Sequence, residues 1–154
     1  MITRYIKGDI RDTELLDIAH GVNCMNAMGA GIARALFEKW PIVKEAYHAG
    51  WDEPGKSEAK WKLGTIQAVG VGKDKVVWNC FIQVNYYPRD IRNVNYAAIV
   101  KCFDQLAECV DKLAIPKIGC GLAGGDWNIV EQLINDTVGD RMEIWVYELD
   151  HKKD

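Results

Sequence analysis

The sequence predicts an α/β fold built on a mixed parallel and antiparallel sheet, with helices on both faces. Three observations carry this. Short apolar segments of strand length recur along the chain, and amphipathic stretches of helical period separate most of them. Two glycine-bearing loops, Asn23–Ile32 and Gly119–Asp126, each follow a predicted strand and open a predicted helix.

The elements follow in order. Ile2–Lys7 alternates and reads as a first strand ending at Gly8-Asp9-Ile10. Ile18–Val22 is a short buried strand leading into the first loop. Ile32, Leu36 and Trp40 recur at helical spacing, and Pro41 suits the first turn of a second helix that ends at Gly50. Trp51–Lys62, polar and containing Pro54 and Gly55, reads as a surface loop. Gly64–Val69 and Lys75–Gln83 form a hairpin about a Gly70–Asp74 turn, and Asn85–Arg92 is a loop. The longest helix presents Tyr96, Ile99, Val100, Phe103, Leu106, Ala107 and Val110 on one face. Leu113–Ile118 is a strand, Trp127–Val138 a helix with Val130, Leu133 and Ile134 inward, and Met142–Leu149 a closing strand. That makes six strands.

A length of 154 residues suits one domain spanning 1–154, with a real core. Hydrophobic residues at 49% and charged residues at 27% exclude a disordered chain. The net charge of −3 disfavours a nucleic-acid platform, which needs a basic face. No apolar run reaches membrane-spanning length and the N-terminal residues lack a signal-peptide core, so a cytoplasmic protein is expected. Five cysteines without a CxxC pair read as reduced thiols, and three histidines without ligand spacing predict neither a metal nor a cofactor.

Residues without bulky side chains let main-chain N–H groups approach a phosphate, and a helix N-terminus adds partial positive charge. Two such loops suggest a ligand with two phosphates, or a phosphate plus a sugar, hence a nucleotide. Gly119-Cys120-Gly121-Leu122-Ala123-Gly124 satisfies the dinucleotide pattern GxGxxG, and Glu148 or Asp150 stands at about the right distance. Only one helix and one strand follow it, so half of a Rossmann site would be missing. A tight strand-to-helix turn would also account for these glycines. No Walker sequence is present.

Gly8-Asp9-Ile10, the Met28-Gly29-Ala30-Gly31-Ile32-Ala33 run, His20 three residues before Asn23, Ile118-Gly119-Cys120-Gly121-Leu122 and the final Val146–Leu149 strand together resemble the macro domain, an ADP-ribose-binding module. The chain resembles most the branch containing ADP-ribose-1″-phosphate phosphatases and the terminal ADP-ribose protein glycohydrolase. The resemblance implies a three-layer α/β/α fold with ADP-ribose across the carboxyl ends of the strands. It assigns the adenine amino group to Asp9 beside Ile10, over the lesser alternative of a capping or turn Asp after Gly8. It places the distal ribose near Asn23 and Asn26, against the alternative of asparagines bonded to their own loop. The diphosphate and ribose fall to Met28, Gly29, Ala30, Gly31 and Ile32 and to Ile118, Gly119, Cys120, Gly121, Leu122, Ala123, Gly124 and Gly125. Leu149 and Tyr147 are candidates around the adenine.

The glycohydrolase mechanism uses a Lys–Asp pair. This chain has Ala123 where the aspartate would follow the Gly-Cys-Gly-Leu run and Gln83 near the lysine position, with no lysine between Lys75 and Lys101. The catalytic expectation therefore rests on Asp126, His20 and Asn26: Asp126 to activate water, His20 to protonate the leaving oxygen, both without metal. An N-cap Asp and a buried strand histidine account for the same residues. Cys120 lacks the arginine of a CxxxxxR phosphatase loop. Two functions follow, a hydrolase acting on ADP-ribose-1″-phosphate or a related derivative, and a non-catalytic reader of free or protein-linked ADP-ribose. Neither requires nucleic acid or membrane.

Overall fold

The computed structural model describes residues 1–51 and 59–149. Its sheet comprises β1 (Ile2–Lys7), β2 (Asp17–Asn23), β3 (Ile66–Gly72), β4 (Lys75–Gln83), β5 (Lys112–Ile115) and β6 (Glu143–Glu148). They lie in the order β1-β6-β5-β2-β4-β3. Every neighbouring pair is parallel except β3 and β4, so the sheet is mixed as expected.

Alternation along each strand divides the apolar side chains between two layers. Ala19, Cys80, Leu113, Ile115, Ile144 and Val146 pack under α3 (Tyr96–Cys109) and α4 (Trp127–Val138). Ile18, Val22, Val77, Phe81, Ala114 and Trp145 pack on the other face, with Leu36 of α1 (Gly31–Lys39) and Val43 and Tyr47 of α2 (Ile42–Ala49). The result is the three-layer α/β/α arrangement. Central β5 is covered from both sides, which is why Leu113, Ala114 and Ile115 are all buried.

Several boundaries move for identifiable reasons. The β3–β4 turn is tighter than Gly70–Asp74: Lys73 and Asp74, both at positive φ (47° and 65°), close a hairpin whose strands run to Gly72 and from Lys75. β5 stops at Ile115 because Pro116 has no N–H for the ladder, and Ile118 begins the second loop instead of ending the strand. The buried face of α3 is turned toward Ala98 and Cys102, leaving Tyr96, Val100 and Ala107 half-buried. In α4 the buried residues are Val130, Ile134 and Val138, with Leu133 at the margin. Met142 and Leu149 flank β6. The loop containing Pro54 and Gly55 lies largely outside the described residues, as does Asp150; Lys60–Lys62 forms a 3-10 turn.

Candidate functional site

All five parallel strands end on one side of the sheet, and a cleft of about 1280 Å³ runs across those ends. Four inter-strand steps make it about 19 Å long. At the β1/β6 end it is lined by Gly8, Ile10, Tyr147, Glu148 and Leu149. Its middle is formed by Met28–Ala33 on one wall and by Pro116–Ala123 on the other. Gln83, Tyr86 and Arg89 line it at the β4 end.

The first wall is held from behind by Asn23. Its Oδ1 accepts from Met25 N–H at 3.0 Å, and its Nδ2 donates to the Ala27 carbonyl at 2.7 Å. The buried Tyr47 hydroxyl sits 2.9 Å from the Asn23 carbonyl and 2.8 Å from its Oδ1, and accepts from Ala27 N–H at 3.1 Å. Asn23 thus shapes the loop with its side chain while also lining the cleft. Ala30 provides no side-chain cap for α1, and no acidic residue occupies the first turn of that helix. The first N–H groups of α1 face an anion-ready environment.

The second wall divides its glycines by task. Gly124 adopts φ +77°, and a Cβ on Gly125 would lie 2.5 Å from the Gly119 carbonyl oxygen, so both serve the turn. A Cβ on Gly121 or on Gly29 would meet no atom within 4 Å, although both residues line the cleft. Small size there leaves open space beside the main chain, as close approach by a ligand requires.

Three expected catalytic groups are not brought together. His20 falls on the same face of β2 as Ile18 and Val22, fully buried beneath α2 and away from the cleft lining. Its Nε2 lies 2.5 Å from Asn79 Oδ1, and burial pulls its pKa down to about 4 against that hydrogen bond. Asn26, at φ +57°, holds His48 Nδ1 at 2.5 Å and does not line the cleft. Asp126 is the N-cap of α4: its Oδ1 accepts from Asn128 N–H at 2.9 Å, and its own N–H donates to the Tyr96 hydroxyl at 3.0 Å. The expectation that His20 flanks the site is corrected by strand register, while Asp126, between the cleft-lining Gly125 and Trp127, has its carboxylate engaged as the α4 cap.

Asp9 caps the 3-10 turn Ile10–Asp12 and is clasped by Arg11, whose Nε lies 3.0 and 2.9 Å from its two oxygens; this guanidinium holds the carboxyl below its ordinary range. Gly8 and Ile10, its neighbours, line the cleft and Asp9 itself does not. Cys120 lines the cleft, but burial and the nearby Asp126 carboxylate raise its thiol to about 11, unsuited to a nucleophile. Tyr147 reaches the Thr13 hydroxyl at 2.6 Å, and Lys117 pairs with Glu148 at 3.1 Å. Among the described residues no group of three His, Cys, Asp or Glu side chains could hold a metal ion. No described helix is long and apolar enough to cross a membrane.

No protein-family model matches the chain. It is 32% identical, over 94% of both chains, to an uncharacterised 17.5 kDa protein from the tk–vs intergenic region of Enterobacteria phage T4. A solved protein of unknown function from Bacteroides thetaiotaomicron is 30% identical with a TM-score of 0.82, covering 96% of this chain and 97% of its own. A macrodomain protein from Streptomyces coelicolor is 28% identical with a TM-score of 0.75, covering 96% and 99%. The chain belongs to the macrodomain family. In this macrodomain Tyr86, Arg89 and Lys117 line the cleft and Tyr47 braces Asn23 and Ala27 behind it, four residues that the sequence did not single out. Only Tyr47 left a signal, as a polar aromatic on the apolar face of α2.

Proposed function

We propose that this macrodomain binds ADP-ribose or a derivative of it. The adenine would lie near Asp9, Ile10 and Leu149, the diphosphate against the main chain of Gly29–Ile32 and Gly119–Leu122, and the distal ribose toward Gln83. What carries the reading is the pair of facing small-residue walls in a macrodomain cleft, where main-chain N–H groups rather than lysines meet the phosphates. Residues 1–154 are read as one such domain, and the cytoplasm suits the free thiols of Cys80, Cys102, Cys109 and Cys120.

Calorimetry with ADP-ribose tests the binding mode. Replacing Asp9 with Ala is expected to weaken affinity by ~1.5–3 kcal/mol, the range for a charge-assisted hydrogen bond. The Arg11→Ala variant keeps the carboxylate and controls for the lost clasp. Unchanged affinity in Asp9→Ala removes the adenine assignment.

Hydrolysis is the finer reading, with ADP-ribose-1″-phosphate as substrate and ADP-ribose plus phosphate as products. It is favoured by the absence of the glycohydrolase Lys–Asp pair, since Gln83 and Ala123 occupy those places. Chemistry here would rely on main-chain donors and a positioned water; no step is assigned to His20, Asn26 or Asp126. Incubation with ADP-ribose-1″-phosphate, O-acetyl-ADP-ribose and mono-ADP-ribosylated protein, with products resolved, decides the substrate. No product from any of them, with ADP-ribose still bound, leaves a reader.

A further inference from the structure

The two ends of the cleft differ in charge. Among the described residues lining it, the cations are Lys117 and Arg89. Lys117 is neutralised by Glu148, 3.1 Å away. Arg89 stands beyond β4, three strands from β6 and therefore about 14 Å off at ordinary strand spacing. Among the described residues no carboxylate pairs with it, and Glu148 is the one carboxylate in the described lining. Asp90, its chain neighbour, is exposed and does not line the cleft.

The segment bearing Arg89 is tied down at both ends. Gln83 Nε2 donates to the Asn85 carbonyl at 2.7 Å, and Asn93 Nδ2 donates to the Pro88 carbonyl at 2.8 Å. The N–H groups of Asn93 and Val94 both reach the Ala123 carbonyl, at 2.8 and 3.1 Å, so this segment is fastened to the second glycine loop. Tyr86 and Tyr87 stack edge-on with centroids 5.0 Å apart, and Arg92 lies over the Tyr96 ring at 4.2 Å. The second arginine is thereby committed elsewhere, and the first is left on the cleft wall.

A guanidinium offers a planar fork of donors that matches a phosphate dianion. The diphosphate is already served by the main chain in the middle of the cleft, so an additional cation at the ribose end calls for an additional anion. We propose that Arg89 is a specificity-determining residue: it selects ligands bearing a phosphomonoester on the distal ribose over plain ADP-ribose. This rests on the binding mode proposed above, with the distal ribose toward β4.

The test measures affinity for ADP-ribose and for its 1″-phosphonate analogue, in which a C–P bond prevents turnover. Wild type, Arg89→Met and Arg89→Lys are compared; Arg89 is exposed and makes no ion pair among the described residues, and circular dichroism checks that each variant folds. Wild type is expected to prefer the phosphonate by roughly 10-fold or more, as a charge-assisted pair provides. Arg89→Met should bring that ratio to about one while changing ADP-ribose affinity less than about twofold, and Arg89→Lys should fall between. The ratio should also shrink from about 0.05 M to about 0.5 M salt. A wild-type ratio near one overturns the proposal, and so does equal weakening of both ligands in Arg89→Met, which would give Arg89 to the diphosphate. Failure of wild type to bind ADP-ribose at all is a separate result: it removes the binding mode itself, and Arg89 selectivity with it.

Discussion

His20 and Asp126 show how a titratable side chain near a loop of interest can serve the scaffold, one buried within a layer and one capping a helix. His20 stays neutral in the fold, with a pKa near 4, while the unfolded chain takes up a proton near pH 6.5. The unfolded state therefore binds more protons as pH falls through that window, and stability is lost. Between pH 7.5 and pH 5 the loss is about 2 kcal/mol, and it levels off below the folded pKa. His48, also lowered by burial, acts in the same direction. Urea midpoints should fall accordingly, and His20→Gln, which keeps a donor toward Asn79, should flatten most of the slope. Asp126→Ala should cost about 1 kcal/mol of stability through the lost cap and leave ADP-ribose affinity within about twofold. Denaturant titration alongside calorimetry separates these two effects. The His20 outcome was legible in the chain, because alternation with Ile18 and Val22 puts its side chain into an apolar layer. The role of Arg89 was not: its place on the cleft depends on how the Asn85–Arg92 segment is fastened to a loop some thirty residues away in sequence.

At the level of elements, local signals located what local chemistry ends. β1 and α4 run between the expected residues because Gly8 and the Asp126 cap punctuate them. β5 ran short of expectation because the apolar pattern continues to Ile118 while the ladder stops before Pro116. The glycine loops carry a matched pair of predictions. Gly121→Val should fold with stability within about 0.5 kcal/mol of wild type, since open space surrounds the new Cβ and φ is not positive there. It should lose ADP-ribose, because the branched side chain fills the approach to the main chain. Gly125→Ala should do the reverse harm and lower stability by about 1–3 kcal/mol through the clash with the Gly119 carbonyl. Thermal melts and calorimetry on both variants test the division. Tight binding by folded Gly121→Val would contradict the main-chain cradle.

Across the whole molecule, the cleft joins loops from five strands, so a ligand spanning it adds cross-links to those made by the sheet, by the Asn93 and Val94 bonds to Ala123 and by the Lys117–Glu148 pair. Ligand at about a hundred times its dissociation constant should add about 2.7 kcal/mol to stability. For a chain of this size that is a rise of about 5–10 °C in melting temperature, measurable by calorimetric scanning. An unmoved melting curve at saturating ADP-ribose would exclude the proposed ligand. The exposed main chain at Gly29 and Gly121 also bears on how such a protein drifts over generations. A peptide N–H has no codon of its own: nearly every point mutation leaves it in place, and only proline deletes it. Lineages can therefore replace most side chains around this cleft and still inherit its donors. Here that freedom stops where added bulk would crowd the backbone, so a mutational scan should tolerate polar and charged changes nearby yet reject branching at Gly121.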